Sequence, residues 1–226
     1  QPGQHSRYRP HPVRPDRRGS LRAHFSDEFS GTSLSDRWTW VRPPVDGTYG
    51  VEAGAFRFDT RKSDLSKDDN TASVLTEPAP RGDYVVQTKV HLNLPVQGDT
   101  FNFVQAGMVV YGSDDSFIKL VHFADFETRQ TEFAKEVPTA PTGSPRYGNT
   151  VVGPPGAVTW LRIVKRTTGA GQTYTAYTSQ DGRHWVRGGT WVHNELGPQV
   201  RIGLVSMGGD GFTARFDYVR VWRLRH

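Results

Sequence analysis

Cysteine is missing from all 226 residues, which excludes disulfides, thiolate metal sites and a cysteine nucleophile. No apolar run approaches the ~20 residues that span a bilayer, and no stretch has the apolar centre of a signal peptide. If the protein is exported, its signal is already gone. Helical periodicity is almost absent after His24, so neither a bundle nor a βαβ architecture is supported. Repeats of 20 to 50 residues are also lacking, which removes propellers and solenoids. Excess charge is missing from most of the chain. The formal net charge is +5, yet residues 1–23 alone hold Arg7, Arg9, Arg14, Arg17, Arg18 and Arg22 against Asp16. Residues 24–226 balance 22 basic against 22 acidic side chains. A nucleic-acid or membrane partner therefore has no support beyond the N-terminal segment.

Aromatic residues, at 12%, are abundant, as are glycine (24) and proline (15). This is the composition of a β-rich, turn-rich soluble protein. Residues 1–23 interleave Pro with Arg and His and offer almost no apolar anchor, so they read as a disordered arm or linker. From residue 24 to 226 one domain is expected. Short alternating segments recur at 55–60, 73–76, 84–94, 103–111, 117–123, 128–135, 159–166, 173–179, 184–186, 200–207 and 214–223. Turn chemistry such as Asp46-Gly47, Asp181-Gly182 and Gly208-Gly209-Asp210-Gly211 separates them. Eleven to fourteen strands without intervening helices predict an all-β fold, two antiparallel sheets packed as a jelly-roll β-sandwich. The proline-rich stretch 137–157 reads as irregular chain packed over one end of it.

Several segments, taken in order, resemble one family. They are FSDEFSGTSLSDRWTW (25–40), GAFRF (54–58), QAGMVVYGSDDSFIKL (105–120), WLRIVKR (160–166), YTSQDGRHW (177–185) and ARFDYVRVW (214–222). Together they resemble the concanavalin A-like lectin/glucanase superfamily, and within it the C-terminal β-sandwich of family 43 glycoside hydrolases and related stand-alone bacterial domains. The resemblance spans residues 24–224. It implies that the first and last strands lie side by side. It also implies a secreted, bacterial, extracellular domain that binds an oligo- or polysaccharide, either as a monomer or beside a catalytic glycoside hydrolase partner. A structural Ca2+ is implied on Glu28, the Gly54 carbonyl and Asp217, a set of hard oxygen donors that suits calcium.

The Glu-x-Asp-x-x-Glu catalytic strand of the family 16 laminarinases is absent. A glycoside hydrolase or polysaccharide lyase with another arrangement is the alternative, with Glu132, Asp125, Glu127 and His122 as catalytic suspects. Glycoside hydrolysis would need a carboxyl pair held ~5–10 Å apart. His122, set among apolar residues, otherwise reads as a satisfied core histidine.

Alternation also places ligand candidates. In FVQAGMVVY, Gln105, Gly107, Val109 and Tyr111 share one face of a strand. A Gln followed by a Gly that opens room predicts a polar, concave ligand face. Lys119 reaches into the same groove, with Glu132 on the next strand as its partner. Trp40, Tyr49 and Trp191, in or near loops, are candidates for stacking on a sugar. Trp38 and Trp185 are expected to pack in the core, and Asp64 to Asn70 to form a solvated charged loop.

Overall fold

The computed structural model describes residues 15–95 and 102–225. In chain order the elements are β1 (Arg18–Leu21), a 3-10 turn (Ala23–Phe25), β2 (Thr39–Val41), β3 (Tyr49–Glu52), β4 (Ala55–Asp59), β5 (Leu65–Ser66), β6 (Asp69–Asn70), β7 (Val74–Pro78) and β8 (Tyr84–Leu92). They continue with β9 (Gln105–Ser113), β10 (Ser116–Asp125), β11 (Thr128–Glu136), β12 (Tyr147–Val151), β13 (Thr159–Thr168), β14 (Gly171–Ser179), β15 (Trp185–Val192), β16 (Arg201–Met207) and β17 (Thr213–Leu224). Among the described residues no helix is long and apolar enough to cross a membrane.

The strands build the expected sandwich of two antiparallel sheets. One sheet runs β15-β14-β13-β8-β17-β4-β3, with β1 added against β17. The other runs β12-β11-β10-β9-β16-β7-β2, and β5 and β6 form a separate hairpin. Alternation sorts the side chains of the second sheet between its two faces. Ala106, Met108, Val110, Ile118 and Leu120 point inward to the main core, where Phe29, Phe56, Phe58 and Phe216 pack with them. Val109, Tyr111, Phe117, Val121 and Phe123 point outward and form a second apolar cluster with Leu65. Each fully buried Phe or Leu removed from water contributes about 1.5–3 kcal/mol. Leu65 therefore fastens the β5–β6 hairpin down on the outer face, where a solvated loop was expected.

Two further expectations change. Residues 1–14 of the expected arm lie outside the described residues, but its last part is ordered. Arg18 pairs with Leu224 and Leu21 with Trp222, Arg18 lies 4.5 Å over the Trp222 ring, and Asp16 accepts a 2.8 Å bond from Arg166. The anchors are backbone, cation–π and ionic contacts, which a search for apolar residues misses. The first and last strands are side by side, as the resemblance implied. In the supposedly irregular stretch, β12 pairs with β11, Glu136 opposite Tyr147 and Glu132 opposite Val151.

Candidate functional site

The outer face of the seven-stranded sheet carries a cavity of about 270 Å3 where β9, β10, β11 and β12 run side by side. Period-2 alternation brings Gln105, Lys119 and Glu132 to it, as the sequence predicted. Tyr147 and Asn149 enter from β12, Asp64, Ser66 and Lys67 close it from the hairpin side, and Phe103 and Phe123 add two rings.

Lys119 and Glu132 interact through charge but take other hydrogen-bond partners. The Lys119 amine donates to Gln105 Oε1 at 2.6 Å, and Glu132 Oε1 accepts from the Tyr147 hydroxyl at 2.7 Å. Lys119 is 1% exposed. Burial lowers its pKa, against which the charges of Glu132, Asp64 and Glu136 act. Burial raises Asp64 and Glu136, and it raises the Tyr147 hydroxyl with help from Glu132. The cavity lining thus holds two amines, Lys119 and Lys67, and two carboxyl groups, Asp64 and Glu132, together with amide and hydroxyl groups. That set donates and accepts hydrogen bonds without an excess of positive charge.

Gly107 does not open this space. A Cβ there would lie 2.7 Å from Val121 Cα and 3.0 Å from a Leu161 methyl carbon, so the glycine permits the close approach of β9 and β10. Trp40, Tyr49 and Trp191 are not brought to the cavity either. Trp40 packs its ring 5.0 Å from Tyr49 and 5.4 Å from Phe58. Trp191 packs 6.2 Å from Phe133 and donates to its carbonyl. All three seal the edge of the core, because an aromatic beside a loop gains more by turning inward. Trp38 is buried, and its indole N–H reaches Asp27 Oδ2 at 2.8 Å. Trp185 instead lies on the outer face of the other sheet, under the Arg162 guanidinium at 4.1 Å.

The catalytic suspects divide between two places. Glu132 lies in the outer-face cavity. His122 points to the opposite side of β10, and with Glu127 it lines a different cavity at one end of the sandwich. Asp125 closes the β10–β11 turn opposite Thr128. No single cleft unites the four.

The calcium ligands are also spoken for. Glu28 is held by Arg220 at 2.6 Å and Asp217 by Lys89 at 3.1 Å, while Gly54 turns the β3–β4 hairpin with φ +75°. Among the described residues no three His, Asp or Glu side chains gather as a metal site. Calcium needs six to eight oxygen donors, and a set already neutralised by two cations does not fit it. The melting temperature is therefore expected to be the same with added calcium and with EDTA. A calcium-dependent rise in a thermal melt would show that the two ion pairs give way to the metal.

Residues 26–221 match the family model described as the beta xylosidase C-terminal concanavalin A-like domain. No curated protein matches the chain. Among solved structures it is similar to the GH43 protein BlXynB from Bacillus licheniformis, with TM-score 0.65, 18% identity, 88% of this chain covered and 39% of that one. It is likewise similar to the xylan beta-1,4-xylosidase from Bacillus halodurans, with TM-score 0.66, 18% identity, and coverage of 95% and 41%. The exoplasmic/lumenal domain of VIP36, in its Ca2+/Man3GlcNAc-bound form, matches with TM-score 0.56, 13% identity and 91% of both chains. The chain thus spans about two fifths of the length of the two bacterial proteins.

Proposed function

The chain belongs to the family of β-xylosidase C-terminal concanavalin A-like domains, and from that premise we propose that it binds carbohydrate in the cavity on the outer face of its seven-stranded sheet. The observation that carries the reading is the convergence there of Gln105, Lys119, Glu132, Tyr147 and Asn149 beside two phenylalanine rings. Sugar hydroxyls both donate and accept, which suits amide, carboxylate and amine groups side by side, and C–H faces pack on rings. About 270 Å3 lies just under the ~300–1,000 Å3 of ordinary ligand sites, so the cavity takes one sugar unit. Its two amines and two carboxyl groups balance, and a lining without excess charge suits an uncharged sugar.

Support for a polysaccharide ligand comes from the family and from a fold shared with a xylan β-1,4-xylosidase. Fold alone does not fix function. The same proposal makes the domain an accessory module of a glycoside hydrolase, secreted by a bacterium because its polysaccharide lies outside the cell, and monomeric. The enzymatic alternative loses the acid–base set named for it, since Glu132 and His122 face opposite sides of one sheet.

Isothermal titration with xylotriose, cellotriose and mannotriose tests the reading. Binding of at least one is expected, and Lys119→Met and Glu132→Gln should each weaken it about tenfold or more, the value of a lost charge-assisted hydrogen bond. Variants that fold and bind as wild type would remove this cavity from the account.

A further inference from the structure

At the open end of the sandwich a cavity of about 550 Å3 lies where the end of β8, the β10–β11 turn and the loop after β12 meet. His122 lines it from the inner face of β10 and is 4% exposed, yet neither ring nitrogen has a hydrogen-bond partner. Leaving such a group unsatisfied costs about 1–3 kcal/mol, and the sequence had suggested a satisfied core histidine. Leu92, Leu94, Pro95, Pro154 and Pro155 give the walls aliphatic surface, and Asn93, Thr128, Glu127 and Arg129 add polar groups to it.

These walls are held in place. Thr131 Oγ1 donates to the Gly153 carbonyl at 2.6 Å, and Gly153 N donates to Thr178 Oγ1 at 3.1 Å. Gln180 donates to the Pro155 carbonyl at 3.0 Å, and on the far side Arg129 donates to the Pro95 carbonyl at 2.6 Å. A braced slot that combines aliphatic surface with a few polar groups, one of them an unpaired histidine, has the form of a ligand site.

We propose that this cavity is a second site for an uncharged sugar unit, separate from the first, with His122 bonding a ring hydroxyl. The proposal rests on the carbohydrate-binding reading and adds to it a second point of attachment. A neutral imidazole offers one donor and one acceptor, which one or two sugar hydroxyls satisfy together. Burial, aided by Arg129 and His91, keeps the ring neutral by lowering its pKa to about 4. Glu127 and Arg129 both line the cavity, so its wall carries no excess charge, which suits an uncharged sugar. His122 and Phe123 are neighbours on β10 and face opposite ways, toward the end cavity and the outer-face cavity respectively. The sheet therefore separates the two sites. Two attachment points on one chain would raise avidity for a polymer.

Counting bound xylotriose at saturation, on the intact protein, tests this. Wild type is expected to bind two molecules, Lys119→Met and His122→Phe each one at the wild-type affinity with the other site weakened about tenfold or more, and the double variant none at the wild-type affinity. Because His122→Phe alters packing, the imidazole 15N signals of His122 in wild type give an independent readout, and they should move as xylotriose saturates. A single site lost with Lys119→Met, or His122 signals unmoved at saturation, would overturn the second site and leave the first standing. Loss of all binding with His122→Phe, with Lys119→Met unaffected and both variants folded, would keep the end cavity and remove the first. A preference of the end cavity for trigalacturonic acid would overturn the uncharged class. No binding of xylotriose, cellotriose or mannotriose by wild type would overturn both sites.

Discussion

Glu77→Gln is expected to make the protein more stable than wild type at pH 8 to 9, and to change it little at pH 4 to 5. Glu77 lies on β7, is 1% exposed, and has no hydrogen bond to either carboxylate oxygen. Its nearest cation is Arg37, whose Nε stands 3.5 Å away. Arg37 is shared, because it also donates to the His24 and Ser26 carbonyls and lies 3.4 Å from Asp27. Burial pushes the Glu77 carboxyl up to about 8 from an ordinary 4.5, Asp27 adds to the rise, and Arg37 and Arg201 oppose it.

The sign follows from where the proton is held. The unfolded chain releases it near pH 4.5 and the folded chain near 8, so between these values the folded state carries the extra proton. Stability from this group is complete below the lower value and declines as pH rises toward the upper one. At about 1.4 kcal/mol per unit, a loss of a few kcal/mol accumulates by pH 8. Glutamine keeps the shape and cannot ionise, so the variant should escape that loss. Urea unfolding at several pH values measures it. A variant weakened equally at every pH would show that the buried carboxylate is needed as an ion.

The second large effect is expected at Gly203, where alanine should destabilise the protein by about 3 kcal/mol or more, at or above the upper end of ordinary overpacking. Gly203 is on β16, opposite Thr76 of β7 and Val109 of β9. A Cβ there would be driven into the Leu75 carbonyl oxygen and lie 2.8 Å from its carbon and 3.0 Å from Thr76 Cα. These are backbone atoms in a ladder with neighbours on both sides, so relief requires breaking strand pairing. For a chain of this size the melting temperature should fall by roughly 6–12 °C. A fall of only a degree or two would mean that β7 can shift without cost.

Local alternation made much of this structure legible. FVQAGMVVY, FIKLVHF and TRQTEFAKE each show which side chains share a face, and the short turns between them make the three strands neighbours, which brings Gln105, Lys119 and Glu132 together. Alternation does not say which groups pair. Lys119 takes Gln105 because burial draws it to the nearest acceptor, while Glu132 takes the hydroxyl of Tyr147. Tyr147 and Asn149 escaped notice because prolines crowd both sides of YGNTV, although its own alternation was a usable signal. The β5–β6 hairpin was obscured by its charges, and only Leu65 marked the face that is buried. Strand β1 depends on pairing with residues some 200 positions away, and local patterns do not contain that information. The packing of Trp40, Tyr49 and Trp191 against the core is hidden from local patterns for a related reason. Proximity to a loop does not reveal which way a ring turns.

The central claim is that the outer-face cavity, rather than the exposed edges of the core aromatics, receives a neutral sugar. Titrating xylotriose, cellotriose and mannotriose into 15N-labelled protein tests it most directly. The account predicts saturable shifts of the Gln105 and Asn149 side-chain amides with at least one of the three, and unmoved indole signals from Trp40 and Trp191. Saturable shifts of those indoles with the two amides unmoved, or no shift of either amide with any of the three sugars, would contradict it.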